Sequence, residues 1–120
     1  MKKIIVCGSR VFSDYPLLDR ELKRLTRRLK NFIILSGHAQ GADLLAERWA
    51  FEQGITYRVF KPDYDTHGKS APLVRNIEML KEADYLVAFW NKVSSGTKHI
   101  INEATKYNVQ TRVIYFEDEK

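Results

Sequence analysis

Two hydrophobic periods alternate along the chain. Lys3-Ile4-Ile5-Val6-Cys7 is a short, β-branched apolar run that stops at Gly8. Leu18, Leu22, Leu25 and Leu29 follow at helical spacing, and Phe32-Ile33-Ile34-Leu35 reads as a second buried strand. Ala42, Leu45, Ala46, Trp49 and Ala50 make a second helical face, with Gly54 placed to end the helix. Tyr57-Arg58-Val59-Phe60 predicts a third strand. Residues 61–72 carry neither period and are expected to form a long loop, of a length that in a compact domain is usually functional or disordered. Leu73, Ile77 and Leu80 mark a third helix, and Tyr85-Leu86-Val87-Ala88-Phe89 a fourth strand. A fourth helix is expected from about Gly96 to Lys106, burying Ile100, Ile101 and Ala104, before Thr111-Arg112-Val113-Ile114-Tyr115 closes the pattern as a fifth strand.

Strands that alternate with helices and are apolar almost throughout belong to a parallel sheet covered on both faces. Right-handed crossovers then favour a single α/β, Rossmann-like three-layer domain, with five parallel strands in the order 3-2-1-4-5. The domain is expected over residues 1–116, with residues 117–120 as an acidic, frayed tail. No internal repeat, low-complexity tract or linker divides the 120 residues, which suit one core.

Composition adds little to that picture and removes several alternatives. The chain is 44% hydrophobic and 29% charged, ordinary proportions for a globular domain. No apolar run approaches the roughly 20 residues that span a bilayer, and Met1-Lys2-Lys3 leads into a strand rather than a signal-peptide core. The single cysteine, Cys7, excludes an internal disulfide and fits a reducing, cytoplasmic setting, where it reads as a buried strand residue. The formal charge of +5 suggests an anionic partner. Much of it sits in Arg20, Lys23, Arg24, Arg27, Arg28 and Lys30, around one helix. A solvated helix face explains that cluster better than a nucleic-acid patch, since no aromatics interleave as a stacking platform requires.

The chemistry collects at the carboxyl ends of the strands, where open α/β sheets bind ligands at the reversal of winding. Strand one is followed by Gly8, Ser9 and Arg10. Strand two is followed by Ser36-Gly37-His38-Ala39-Gln40-Gly41-Ala42-Asp43, running into a helix, and strand four by Asn91-Lys92-Val93-Ser94-Ser95-Gly96-Thr97. Glycines let backbone close in, and free amides at a helix start attract anions. Singly, each turn is only a tight connection, and Ser36 or Ser94 a helix cap. Together they point to a phosphate-bearing ligand. Asp43 would repel a phosphate placed too close, so it braces the loop or meets a ribose hydroxyl. Gly68-Lys69-Ser70 is no P-loop, because Asp63 stands where the leading glycine belongs. G-x-G-x-x-G is absent, and His38, His67 and His99 lack metal-ligand spacing, so no metal is assigned.

Gly8-Ser9-Arg10 with Phe12 and Asp14, then Ser36-Gly37-x-Ala39-x-Gly41-Ala42-Asp43, resemble the YspA-like (YAcAr) branch of the SLOG superfamily. Ala46-Glu47-Arg48-Trp49-Ala50, His67-Gly68-Lys69, Arg75-Asn76-x-x-Met79 and Ser95-Gly96-Thr97 extend the likeness over nearly the whole chain. The resemblance implies a Rossmann-like fold that binds nucleotides or nucleotide-derived molecules, of an NAD- or ADP-ribose-like kind or a nucleoside phosphate, with no obligatory cofactor. It also implies assembly as a dimer or larger homo-oligomer and admits phage-borne members. The more distant relatives are LOG-type phosphoribohydrolases and the DNA-processing DprA/Smf proteins. Two departures stand out: His38 and Gln40 occupy positions where the family usually has glycine and arginine, which implies an altered ligand preference.

On this basis Arg10 and Arg75 would neutralise phosphate, and the backbone around Gly37, Gln40, Gly41 and Ala42 and around Ser95, Gly96 and Thr97 would cradle it. Tyr64, His67 and Lys69 would cover base or ribose, and Asn76 would contact the ligand or brace its helix. The LOG catalytic glutamate falls on Ile100 here. A hydrolase reading therefore leaves only Asp14, Asp43 and Glu103 as candidate carboxylates. The leading expectation is a binding module for a nucleotide-derived small molecule. A hydrolase cleaving an N-glycosidic or phosphate-linked bond is the alternative, and a single-stranded nucleic-acid binder using the basic helix is the third.

Overall fold

In the computed structural model, which describes residues 1–117, the strands are β1 (Lys2–Gly8), β2 (Phe32–Ser36), β3 (Tyr57–Val59), β4 (Tyr85–Trp90) and β5 (Gln110–Tyr115). They form one sheet in the order β3-β2-β1-β4-β5, all parallel, as the alternating periods predict. The helices are α1 (Tyr15–Thr26), α2 (Ala42–Glu52), α3 (Tyr64–His67), α4 (Ala71–Glu82) and α5 (Ser95–Ala104). Successive residues of β1 feed opposite cores: Ile4 and Val6 pack with α1 and α2, whereas Ile5 and Cys7 pack with α4 and α5. A central strand clothed on both faces needs apolar residues at every position, which is why its sequence shows no alternation. Edge strand β3 is short, and Tyr57, Arg58 and Val59 are all exposed.

Asp14 caps α1, its Oδ1 accepting from Leu17 N at 3.1 Å, and Pro16 suits the first turn. The buried stripe of α1 is Leu18, Glu21, Leu22 and Thr26. Leu25 lies at the margin of that stripe, exposed, and Leu29 lies beyond the helix, packing from the following turn. Trp49 anchors α2 to α1 by burying its ring and donating Nε1–H to Asp19 Oδ1 at 2.9 Å. The basic residues of the α1 region are exposed, and Lys23 and Arg24 pair with Asp19 and Glu21 on their own helix.

Three expectations change. Residues 61–72 are not a structureless loop. Asp63 caps α3, accepting from Thr66 N at 3.2 Å, a 3-10 turn at Gly68–Ser70 follows, and α4 has begun by Ala71. Short polar caps make such structure without any apolar period to betray it. On α4 the buried residues are Ala71, Arg75, Asn76, Met79 and Leu80, while Leu73 is 41% exposed. The last helix stops at Ala104 and tightens into a 3-10 turn, Thr105–Tyr107, closed by Asn108 at φ 58°. The acidic tail beyond Glu117 lies outside the described residues. Among the described residues no helix is long and apolar enough to cross a membrane.

Candidate functional site

Winding reverses between β1 and β4, the two strands whose following turns diverge to opposite layers. There, at the carboxyl edge, a cavity of about 760 Å³ opens between those turns, α4 and the start of α5. The two turns are stitched together. Ser9 N donates to Phe89 O at 2.9 Å, Ser9 Oγ donates to Asn91 Oδ1 at 2.9 Å, and Asn91 N returns a bond to Ser9 Oγ at 3.2 Å. Asn91 Oδ1 also accepts from Val93 N and Ser94 N, each at 3.0 Å, curling the chain into α5. Ser94 caps that helix, its Oγ accepting from Thr97 N at 3.4 Å. The first amides of α5 therefore border the cavity at Ser95 and Gly96, a favourable place for an anion.

The turn after β2 plays a different part. Gly41 adopts φ 84° and ψ −128°, and a Cβ there would lie 2.7 Å from Arg10 O and deeper still into Ser9 O. The β1 turn thus rests on the backbone at the start of α2. Asp43 is 4% exposed, and Oδ2 accepts from Ala39 N at 3.3 Å while the Gly8 amide bonds the same carboxylate. Burial pushes the Asp43 carboxyl up to about 6, against the pull of those amides and of Arg75. The protein's own carboxylate thus takes up one amide of the β2 turn and one at the end of β1. A Cβ at Gly37 would lie 2.8 Å from Arg75 Cζ and 2.9 Å from Asp43 Oδ2, so the two charged groups face each other across the glycine. Arg75 Nη1 donates to Gly37 O, and Nε donates to Asn76 Oδ1 at 3.1 Å. Burial pushes the guanidinium down, and the charge of Asp43 opposes that.

Ser36 is fully buried and serves the loop rather than the cavity. Its Oγ donates to Glu47 Oε2 at 2.7 Å and accepts from His38 N at 3.1 Å, while His38 Nδ1 reaches the same Glu47 oxygen at 2.8 Å. These bonds hold His38 at φ 63°, in the left-handed region that glycine favours. Ser36→Ala would leave Glu47 and His38 N without their shared partner. The expected loss is about 1–3 kcal/mol of unfolding free energy in urea melts.

Of the residues predicted from sequence, Gly8, Ser9, Arg10, Asp43, Lys69, Arg75, Asn76, Ser94, Ser95, Gly96 and Thr97 line the cavity. Ser36, Gly37, Gln40, Gly41 and Ala42 do not; Ser36, Gly37, Gly41 and Ala42 build the brace behind it, and Gln40 is exposed. Tyr64 and His67 are exposed on α3 and do not contribute to the wall. Of the three carboxylates considered for catalysis, only Asp43 is present, since Asp14 caps α1 and Glu103 pairs with Lys106 at 2.6 Å. Sequence reasoning did not assign Cys7, Val11, Ala39, Pro72, Leu73, Met79, Asn91, Val93, His99 or Ile100 to the wall. Asn91 carried a usable signal, because an asparagine just past a strand with a serine three residues on is an Asx-type turn. Cys7 is buried, and burial pushes its thiol well up, so it stays protonated and unreactive.

The wall brings Arg10, Lys69 and Arg75 against a single carboxylate, with hydroxyls and helix amides on one side and Leu73, Met79, Val93 and Ile100 supplying apolar surface. Among the described residues no group of His, Cys, Asp and Glu could hold a metal ion. The chain is 36% identical over 125 aligned positions to "Gene 61 protein" of Mycobacterium phage D29, covering 98% of both chains. No solved structure matches it significantly. Residues 2–67, which contain the β1 turn, the Gly37–Asp43 brace and α2, match the YAcAr family, and binding of nucleotide-related ligands is the general property that SLOG membership suggests. The chain belongs to the YspA, cpYpsA-related SLOG family.

Proposed function

We propose that the chain binds a phosphate-bearing nucleotide or nucleotide-derived small molecule in the edge cavity, to sense or sequester it. The observation that carries this reading is the composition of the lining: Arg10, Lys69 and Arg75 share a space of about 760 Å³ with the start of α5 and a single carboxylate. Pockets of about 300–1,000 Å³ hold ligands of nucleotide size. The amides of Ser95 and Gly96 and the forked donors of Arg10 and Arg75 suit phosphate oxygens, and Leu73, Met79 and Val93 suit the face of a base or sugar. Asp43, the one carboxylate in the wall, is bonded to backbone amides on both sides, which suits bracing rather than bond cleavage.

Native mass spectrometry of freshly purified protein and thermal shifts with AMP, ADP, NAD, ADP-ribose and cyclic ADP-ribose test the reading. A bound nucleotide at ~100 times its Kd adds ~2.7 kcal/mol. Arg10 is exposed, so Arg10→Ala is expected to leave the unliganded melting temperature unchanged. It is expected to weaken nucleotide binding by about 10- to 100-fold, the worth of one charge-assisted hydrogen bond. Equal shifts in both proteins would place the ligand elsewhere.

A further inference from the structure

His99 lies on α5 two residues past Thr97 and is part of the cavity wall. Its protonation pattern follows from its neighbours. Arg75 Nε sits 3.1 Å from Asn76 Oδ1, and a guanidinium only donates, so the carboxamide oxygen is the atom turned toward it. The carboxamide nitrogen then faces His99 Nδ1 at 3.3 Å and Gly96 O at 3.5 Å. An amide NH₂ offers hydrogens and accepts none, so Nδ1 of His99 accepts and the ring proton resides on Nε2. Nε2 has no partner among the described residues. His38 has the opposite arrangement: its Nδ1 faces the Glu47 carboxylate and must donate.

We propose that His99 is a specificity-determining residue of the cavity, whose Nε2–H, fixed as a donor by the Arg75–Asn76–His99 chain, meets an acceptor oxygen of the bound molecule. This rests on the nucleotide-binding reading above. The same arginine that would answer phosphate also sets the hydrogen-bonding sense of the imidazole, so a charge contact and a directional contact are built as one unit. A site that presents a fixed donor rejects analogues lacking the matching acceptor more strongly than an apolar wall rejects a misfit.

Long-range ¹H–¹⁵N correlation of the imidazoles reads the tautomers directly. The expected spectrum has the Nε2–H pattern at His99 and the Nδ1–H pattern at His38. A freely averaging pattern at His99 would overturn the inference whether or not a ligand is present. Asn76→Asp places a carboxylate between Arg75 and His99 and is expected to switch the ring to Nδ1–H. In an ADP-ribose titration, the His99 ring signals and the Gly96 and Thr97 amides are expected to move together. Amides moving without the ring would sink the role of His99 and leave the cavity reading standing. If neither moves with any nucleotide of the panel, both fall. His99→Phe keeps an aromatic ring and removes the donor, so ADP-ribose should bind about tenfold more weakly, while the lost Nδ1 acceptor for Asn76 should lower the unliganded melting temperature by several degrees. Unchanged affinity in that variant also overturns the proposal.

Discussion

Gly41→Ala is expected to cost about 3–5 kcal/mol of unfolding free energy, a large share of the roughly 5–15 kcal/mol that holds a domain together. Two effects add. The backbone at Gly41, φ 84° and ψ −128°, is the mirror image of an extended strand, and a side chain there is strained by about 1–3 kcal/mol. The added methyl would also drive into the carbonyls of Ser9 and Arg10, which are backbone and cannot rotate away, so the β1 turn must lift from α2 at a further cost of about 1–3 kcal/mol. Thermal melts should fall by about 10–25 °C. Gly54→Ala is the matching control. Gly54 also has positive φ, at 69°, but nothing lies within 4 Å of a Cβ built there, so it should show only the backbone strain. Equal losses in the two variants would mean that the stacking of the β1 turn on α2 contributes nothing.

The second large effect concerns Asp43 and pH. Its carboxyl rises from 3.8 unfolded to about 6 folded, chiefly through burial. Between those values the folded chain holds a proton that the unfolded chain has released, so unfolding free energy falls as pH rises across the window. A shift of that size corresponds to about 3 kcal/mol, lost progressively from about pH 4 and gone above about pH 6. The depressed carboxyls of Asp19, Glu52, Asp63, Glu82 and Glu103 act in the opposite sense and at lower pH, since their stabilisation disappears only as they protonate. Urea unfolding at intervals from pH 4 to 7 should therefore show stability declining toward neutrality in the natural protein. The slope should be absent in Asp43→Asn, which keeps one acceptor oxygen for the Ala39 and Gly8 amides. A nucleotide phosphate in the cavity would favour the protonated carboxyl, so its affinity should also weaken as pH rises through 6. A pH-independent stability in the natural protein would show that the Ala39, Gly8 and Arg75 contacts fully offset the burial of Asp43.

The fold was legible because each layer wrote its own period. The buried stretches of β1, β2 and β4 are almost wholly apolar, as strands covered on both faces must be, and the glycine that ends β1 and the one just past β2 mark where the turns of the sheet edge begin. The turns after β1 and β4 were legible as cavity walls because small and hydroxyl residues cluster there, whereas the similar turn after β2 proved to be mostly a brace. The helix contributions were legible only in part, Arg75 and Asn76 through the family resemblance and not through the apolar period. Leu73 fits the apolar period of α4 and yet faces the cavity rather than the core. Arg75 and Asn76 break that period and are nonetheless buried, because they satisfy each other and the Gly37 carbonyl. His99 looked like one of three scattered histidines until the distance to Asn76 gave it a direction. The loop expected at 61–72 failed for a related reason: caps such as Asp63 organise the chain without hydrophobic residues.

The brace and the cavity wall draw mostly on different stretches of the chain. The segment that matches the family ends at residue 67, and it contains Gly8, Gly37, Gly41 and Asp43, which pack on one another, on the start of α2 and on the β1 turn, with Phe89 of β4 against Gly8 and Arg75 of α4 against Gly37. Most of the wall that a bound molecule would meet lies after it, from Lys69 to Ile100. Substitutions on α4 and α5 can therefore reshape the wall while leaving the glycine-and-aspartate signature of the matched segment in place. Relatives that share the first half of this chain need not share what they bind.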